Sequence, residues 1–302
     1  MLSQAPLQDT RFEVLAAAAF GGRPGTAAAE LPAPADGVDG WLSAVALAGQ
    51  GYYAAARARL RRVRRLSADP VLLSLVASTE GSLLRQSGRH ADAAVADGRA
   101  FALIASRASA AAGAHVSSAQ PVALEMFDKP TSVTPSVFAG LADPGAALCD
   151  ALTGLAADAL GRGRTDLADR LLRRAGGPAA SRPRALIRLH WVSAENALAA
   201  GDPRRARPHA ETALALARAC PSRRHEVKSL LLTAAAAAAD GDLDTARATA
   251  DAVAARCAEH DLFPLAWAGA MLRSGLGDAA AASDAAAFGA VIARRGGHFR
   301  LG

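Results

Sequence analysis

The sequence predicts an all-helical protein that is built from repeated helix pairs. Three observations support this prediction: an alanine-rich composition, the lack of a strand pattern and a glycine that recurs at nearly constant spacing. Apolar residues make up 51% of the 302 residues, and they are dominated by alanine, the strongest helix former. Aromatic residues make up only 4%, and no segment shows the period-two alternation of a half-buried strand. With a strand-rich fold excluded, the sequence predicts closely packed helices.

The net positive charge of the chain favours an anionic partner but does not show what kind of partner it is. The formal net charge is +6, a balance that suits nucleic acid or an anionic surface as partner. Arginine supplies nearly all of the positive charge, because Lys129 and Lys228 are the only lysines. The bias towards Ala, Arg, Gly and Pro is typical of a GC-rich bacterial genome, so codon usage is an alternative source of the excess charge.

The sequence lacks the features of a secreted, metal-bound or membrane-spanning protein. Its three cysteines, Cys149, Cys220 and Cys257, are far apart and form no C-x-x-C pair. The N-terminal segment has no basic region of the kind that begins a signal peptide. The longest apolar run, 230–239, is shorter than the ~20 residues that span a bilayer. We therefore expect a soluble cytoplasmic protein with no metal and no cofactor.

A turn motif recurs six times along the chain. In each copy a glycine stands between two helical segments, and an alanine follows it five residues later. These six turn glycines are Gly51, Gly88, Gly163, Gly201, Gly241 and Gly277. Their successive spacings are 37, 75, 38, 40 and 36 residues, and the longest is about two periods of the others. Glycine permits the left-handed backbone that ends a first helix, and alanine lets the second helix approach closely.

Two further positions repeat with the turn glycines. A glycine or an alanine stands seven residues before each of them, where a small side chain allows close contact. Trp41, Trp191 and Trp267 each stand ten residues before a turn glycine, so all three tryptophans of the chain are equivalent.

This pattern resembles the tetratricopeptide repeat, a helix pair of ~34 residues with a glycine at its turn and an alanine five residues later. The resemblance covers most of residues 38–295. The repeats are degenerate, because the aromatic residue is displaced by one position and most units lack the tyrosine of the family. The resemblance implies a right-handed α-solenoid of about six helix pairs, stabilised by stacking between neighbouring units.

Three segments lie outside this repeat pattern. Residues 1–37 are expected to form a loosely docked leader helix, with Thr10 and Glu13 as its capping box, and a Pro/Gly-rich linker. Residues 112–142 form an irregular, proline-rich insertion, which is either functional or the remnant of a decayed repeat. Residues 296–302 are expected to be a flexible tail.

No catalytic or metal-binding pattern stands out in the sequence. It contains no nucleophile elbow, no zinc-protease motif, no Walker A loop and no dinucleotide fingerprint, and its seven histidines include no pair at metal-ligand spacing. We therefore expect a protein that binds a partner and is not an enzyme.

The resemblance places the first helix of each pair on a concave face. Its groove positions are those thirteen, ten, six and three residues before the turn glycine. Arg188 and Lys228 share one such position in neighbouring units and indicate a basic patch beside aromatic rings, which suits an acidic or phosphorylated peptide. The candidate partner-binding residues are Arg188, Trp191, Glu195, Arg224, Lys228, Trp267 and Met271.

Each of these features has an alternative interpretation. Tryptophan is highly buried on average, so the three tryptophans suit packing between repeats at least as well as ligand contact. The arginines of the segment 57–65 form either a solvated helix face, with Leu60, Val63 and Leu66 turned inward, or a nucleic-acid surface. We predict an interaction scaffold or regulatory adaptor that binds an acidic or extended partner segment; nucleic-acid binding in transcriptional regulation is the alternative.

Overall fold

The computed structural model describes residues 5–115 and 143–298, and over these ranges it contains helices and no strands. The predicted all-α class is therefore confirmed. The insertion beyond residue 115, up to residue 142, and the tail residues 299–302 lie outside the described residues. The helices are α1 (Ala5–Phe20), α2 (Gly37–Gly49), α3 (Tyr53–Leu66), α4 (Pro70–Gln86), α5 (His90–His115), α6 (Pro144–Leu160), α7 (Thr165–Ala179), α8 (Pro183–Ala199), α9 (Pro203–Arg218), α10 (Arg223–Ala239), α11 (Leu243–Glu259), α12 (Phe263–Gly275) and α13 (Ala281–Arg294).

The turn glycines join these helices into six pairs, from α2 with α3 to α12 with α13. Each lies in the left-handed backbone region that favours glycine, with φ values of 85°, 74°, 70°, 73°, 86° and 93° in chain order. The predicted hairpin corners are thus confirmed. Each pair also packs against the next along the chain, as in a helical solenoid, while the handedness of the solenoid stays a prediction.

Short polar side chains fix the start of two second helices. Asp202 directly follows its turn glycine, and its carboxylate accepts a hydrogen bond from the backbone N–H of Arg205. Asp242 does the same for Thr245 in the next pair. The first N–H groups of a helix have no partner within the helix, so these caps stabilise α9 and α11 at the ends nearest their turns.

The alanines that follow the turn glycines lie where the paired helices are closest. Five of the six, Ala56, Ala93, Ala168, Ala206 and Ala246, are completely buried. In the sixth pair Ala282 is exposed and its neighbour Ala281 is buried instead. The other second helices begin two residues after their turn glycine, whereas α13 begins four residues after Gly277, and this shifts its buried face.

The leader is firmly docked, which corrects the expectation of a loose attachment. Its apolar residues near the carboxyl end of α1 are buried, and α1 packs against α2 and α10. Arg224 donates a hydrogen bond to the carbonyl of Ala19 at 2.8 Å, and Gln50 donates one to the carbonyl of Pro24 at 2.9 Å. The helix begins five residues before Thr10, so the expected capping box is not its start.

The last helix pair contacts the first, so the described helices close into a ring. The guanidinium of Arg295 donates a hydrogen bond to the carbonyl of Gln50, 245 residues away in the chain, at 2.6 Å. The same guanidinium lies 4.0 Å from the ring centroid of Tyr52 and 4.4 Å from that of Phe263. The backbone N–H of Ala54 donates to the carbonyl of Arg295 at 3.0 Å. These contacts join the two ends of the helix stack.

Two expectations about chain and helix ends are wrong. Residues 296 and 297, expected to begin a flexible tail, pack against α3: the carbonyl of Gly296 accepts a hydrogen bond from Arg57, and Gly297 is buried. Leu60 and Val63 are buried as predicted, but Leu66 is 74% exposed. Leu66 is the last residue of α3, beyond the part of the helix that its neighbours cover.

Replacing Gly201 by alanine should lower the free energy of unfolding by about 1–2 kcal/mol, because an L-residue is strained in the left-handed region. A Cβ at this position meets no atom within 4 Å, so backbone strain is the only cost. The matched control is Gly98→Ala in the middle of α5, which also has open space and should gain about 0.5–1 kcal/mol. Chemical denaturation measures both, and equal effects would contradict the assignment of the turn.

Replacing Arg295 by alanine should open the ring closure, because it removes a hydrogen bond and two cation–π contacts together worth about 1–3 kcal/mol. Hydrogen exchange at the backbone amide of Ala54 should accelerate in this variant. The exposed neighbour Arg294 provides the control, since Arg294→Ala leaves the closure intact. Unchanged exchange at Ala54 in Arg295→Ala would show that the ring is held by other contacts.

Candidate ligand-binding cavity

A cavity of about 470 Å³ lies at the centre of the ring, and the first helices of all six pairs line it. These are the helices that the resemblance placed on the concave face. One position faces the cavity in every pair, ten residues before the turn glycine. It is occupied by Trp41, Ser78, Thr153, Trp191, Leu231 and Trp267.

The cavity crosses the first helices obliquely. Pairs one to four contribute the residue six before the turn glycine, which is Val45, Ser82, Ala157 and Glu195. Pairs three to six contribute the residue thirteen before it, which is Asp150, Arg188, Lys228 and Pro264. The cavity therefore meets the carboxyl halves of the early first helices and the amino halves of the late ones.

This oblique path separates the seven candidate binding residues into two sets. Arg188, Trp191, Glu195, Arg224, Lys228 and Trp267 all line the cavity. Met271 does not, because it stands six residues before Gly277 in the last pair, where the cavity has already shifted to the other half of the helix. Its side chain is 48% exposed.

The tryptophans serve packing as well as the cavity wall. Trp41 is buried, and its Nε1–H donates a hydrogen bond to the Oγ1 of Thr79 on α4 at 3.0 Å. The Nε1–H of Trp191 donates to the Oγ of Ser229 on α10 at 2.8 Å. Each indole thus joins the first helices of two successive pairs, as the packing interpretation predicted. Trp191 is only partly buried and also stacks on the imidazole of His225, with ring centroids 5.1 Å apart.

The predicted basic patch is partly neutralised by carboxylates. Asp150 is buried and forms ion pairs with Arg184, at 2.7 Å, and with Arg188. Burial would raise the pKa of Asp150, but the charges and hydrogen bonds of the two arginines hold it below the ordinary value. Lys228 pairs with Glu195 at 2.6 Å.

Asp150 is a cavity residue that the seven candidates do not include. It stands thirteen residues before Gly163, the same repeat position that singled out Arg188 and Lys228 in later pairs. Applying the groove positions to the third pair would have found it.

Arg224 is a cation in the cavity wall without a carboxylate partner among the described residues. Its guanidinium donates hydrogen bonds to the carbonyls of Val45, at 3.1 Å, and Ala19, at 2.8 Å. Burial, together with Arg188 and Arg184, lowers the pKa of Arg224 to about 10, so it stays charged at neutral pH. Space for this guanidinium depends on Gly49, where a Cβ would collide with it.

His225 lies beside these arginines as a neutral ring. Burial and the positive charges of Arg224, Arg184 and Arg188 lower the pKa of His225 well below its ordinary value. Its Nδ1 lies 2.5 Å from the Oγ of Ser222. Arg184, Arg188 and Arg224 are called the arginine cluster below; it holds three cations against the single carboxylate of Asp150.

A second charged group lies behind the cavity wall between α4, α5 and α6. Arg85 donates hydrogen bonds to Asp97 at 2.8 Å and to Asp158 at 2.5 Å. Burial raises the pKa of Asp97 to about 7, against the lowering effect of Arg85 and with a further rise from Asp158. One oxygen of each carboxylate has no donor, so a shared proton would satisfy both. A Cβ at Gly81 or Gly154 would collide with the Asp97 carboxylate.

Residues 5–115 and 143–298 contain neither a candidate metal site nor a candidate membrane span. No three His, Cys, Asp or Glu side chains in these ranges converge so that they could hold a metal ion. None of the helices there combines the length and the apolar character needed to cross a membrane.

The fold and the cavity define a helical-repeat protein with a central cavity. Comparison of the sequence with protein-family models gives no match, and comparison with curated proteins gives none either. The likeness to the tetratricopeptide repeat therefore stays a resemblance, carried by the turn glycines and the small residues around them.

Asp97→Asn should remove part of the pH dependence of stability. A carboxyl group whose pKa rises on folding contributes its full stability below its ordinary value of 3.8 and loses it as the pH rises through about 7. Between pH 5 and pH 8 the unaltered protein should thus lose on the order of a few kcal/mol that Asp97→Asn retains. Asp92→Asn, on the exposed face of the same helix, is the control.

The difference between variants is the quantity to measure, by denaturation at each pH. Groups that do not contact Asp97, His225 among them, titrate equally in all three proteins, so their contribution cancels. The change therefore belongs to Asp97 together with Asp158, to which it is coupled. A pH profile of Asp97→Asn that parallels those of the unaltered protein and Asp92→Asn would contradict the raised pKa.

Proposed function

We propose that the protein is a cytoplasmic, tetratricopeptide-like binding protein, a scaffold or regulatory adaptor, that takes an anionic segment of a partner polypeptide into its central cavity. In this proposal it performs no catalysis. The observation that carries the proposal is the arginine cluster, whose positive charge is not balanced by the wall of the cavity in which it lies.

The composition of the cavity supports this kind of ligand. Arg184, Arg188 and Arg224 face a single carboxylate, so an anion entering the cavity gains charge-assisted hydrogen bonds without displacing an ion pair. Trp191, Trp267 and Phe20 supply aromatic surface in the same cavity. A mostly apolar pocket with a few convergent polar groups is the usual form of a ligand site.

The size of the cavity restricts the proposal to a short segment. A volume of about 470 Å³ lies within the range of pockets that hold drug-sized ligands, roughly 300–1,000 Å³. Because the first and last pairs are in contact, the cavity is not an open groove along the solenoid. A side chain with its neighbours, or a chain end, fits this space better than a long extended peptide.

The nucleic-acid alternative depends on a different surface. Arg61, Arg62 and Arg65 are exposed on α3 and do not line the cavity. Binding of a single strand usually adds base stacking on aromatic rings to phosphate contacts. The large apolar side chains exposed in the described part of the chain are Leu66, Val95, Leu243 and Met271, and none is aromatic. The arginine face of α3 thus lacks that second component.

Photo-crosslinking inside the cavity tests the proposal. A small diazirine side chain at position 268, which lines the cavity, should capture a partner polypeptide in cells of the source organism. Mass spectrometry of the crosslinked peptide should locate a segment with more acidic or phosphorylated residues than basic ones. The matched control carries the diazirine at position 252, an exposed alanine on the outer helix α11, and should not capture that segment.

Two results would contradict the proposal. Capture of the same segment at both positions would show that the partner binds the outer surface. Recovery of nucleic acid that is lost on raising the salt concentration would favour the alternative, since phosphate contacts weaken steeply with salt.

A further inference from the structure

We infer that the arginine cluster is a subsite for a phosphate monoester, carried either by a phosphorylated side chain or by a small organic phosphate. The inference builds on the proposed function only in taking the central cavity as the ligand site. It adds the chemical group that the ligand must present and the residues that bind it.

The first argument is the charge of the subsite. Arg184 and Arg188 share the carboxylate of Asp150, and Arg224 bonds only to backbone carbonyls, so two positive charges are left unbalanced. Partly buried charges are costly unless paired. A carboxylate ligand would balance one of the two charges, whereas a phosphate monoester carries about −1.5 to −2 at pH 7 and balances both.

The second argument is the supply of hydrogen-bond donors. Each guanidinium has five N–H donors in a planar fork that matches phosphate oxygens. Arg188 uses one nitrogen in a hydrogen bond, to Asp150, while Arg184 and Arg224 use two each. The three oxygens of a phosphate group can accept from several of the remaining donors at once.

The third argument is the position of the arginines on their helices. Arg184 and Arg224 both stand seventeen residues before a turn glycine, in the first turns of α8 and α10. The positive end of a helix dipole disfavours cations there and favours anions. Arg184 and Arg224 therefore both occupy positions where the helix dipole destabilises a positive charge. A bound anion would offset this effect at both positions.

The surroundings of the subsite indicate what carries the phosphate. The ring of Phe20 lies 5.2 Å from the guanidinium of Arg184 and 5.9 Å from that of Arg224, and the stacked Trp191 lines the same cavity. On the cavity wall formed by α4, Ser78 is only 4% exposed and its Oγ has no hydrogen-bond partner. A ligand with an apolar or aromatic body and a further polar group would satisfy both features.

The acidic groups that face the cavity do not oppose a dianion. Asp150 is paired with two arginines, and Glu195 is paired with Lys228. Lys228 is therefore a cavity cation whose charge is already balanced.

Calorimetry with defined probes tests the inference at constant pH 7.5 and ionic strength, in buffer without phosphate. The probes are phenyl phosphate and an acetylated, amidated Gly-phosphoserine-Gly peptide, each compared with a carboxylate of the same shape, phenylacetate and the Gly-Glu-Gly peptide. The unaltered protein should bind at least one phosphate probe about tenfold or more tightly than its carboxylate counterpart, as expected for an additional charged fork contact.

Variants then assign the contact to the arginine cluster. Arg224→Met should weaken phosphate binding about tenfold or more, while Arg207→Met, on the outer helix α9 and away from the cavity lining, should leave it nearly unchanged. Because Arg224 also holds the leader through Ala19, Arg188→Gln is the second variant, which keeps an amide donor for Asp150. Circular dichroism checks that each variant is folded.

Each outcome decides the inference separately from the proposed function. Phosphate probes that bind no tighter than carboxylates, or a loss in Arg207→Met as large as in Arg224→Met, would overturn the subsite even if crosslinking finds an acidic polypeptide. Selective binding of phenyl phosphate without the phosphopeptide would support the subsite and identify a small organic phosphate as its source. Selectivity for the phosphopeptide would support both the subsite and the polypeptide partner.

Discussion

The left-handed backbone at the six turn glycines is the constraint on which the rest of the structure depends. At each of them the chain reverses within a few residues, so two helices lie antiparallel and the buried alanine after the turn sets how closely they pack. Because the turns recur at nearly equal spacing, the first helices come to lie side by side. A residue at a fixed distance before each turn therefore reaches the same central space, as the six residues ten positions before the turn glycines show.

Two long-range contacts give this stack a central cavity. The leader helix α1 bridges α2 and α10, and Arg295 in the last pair binds the corner of the first. Both contacts involve residues that the repeat pattern does not specify. The backbone carbonyl of Gln50, for example, accepts a hydrogen bond from Arg295, and its side-chain amide donates one to the carbonyl of Pro24 in the linker. A charge in a cavity costs more to leave unpaired than a charge in an open groove, so the proposed anion site depends on these two contacts as well as on the arginine cluster.

Buried polar groups in this protein depend on glycines that the repeat pattern does not require. Gly49 leaves room for the guanidinium of Arg224, and Gly154 leaves room for the carboxylate of Asp97. An alanine at either position would fit the helix better but would displace a charged side chain. These glycines lower the stability of their helices but leave space for charged side chains at or behind the cavity wall.

The sequence by itself determined the helical class and the six corners, because these follow from local backbone preference and a repeat spacing. The face of each pair that turns inward was implied by the resemblance to the tetratricopeptide repeat. It also indicated Arg188, Trp191, Glu195, Arg224, Lys228 and Trp267, which line the cavity, through their positions relative to the turns or helix starts. Only the tertiary structure decided that Met271 lies outside the cavity, that Asp150 forms ion pairs with two arginines and that Arg224 has no carboxylate partner among the described residues. These outcomes depend on the oblique path of the cavity and on ring closure, both set by packing between residues far apart in the chain, which a local pattern does not encode.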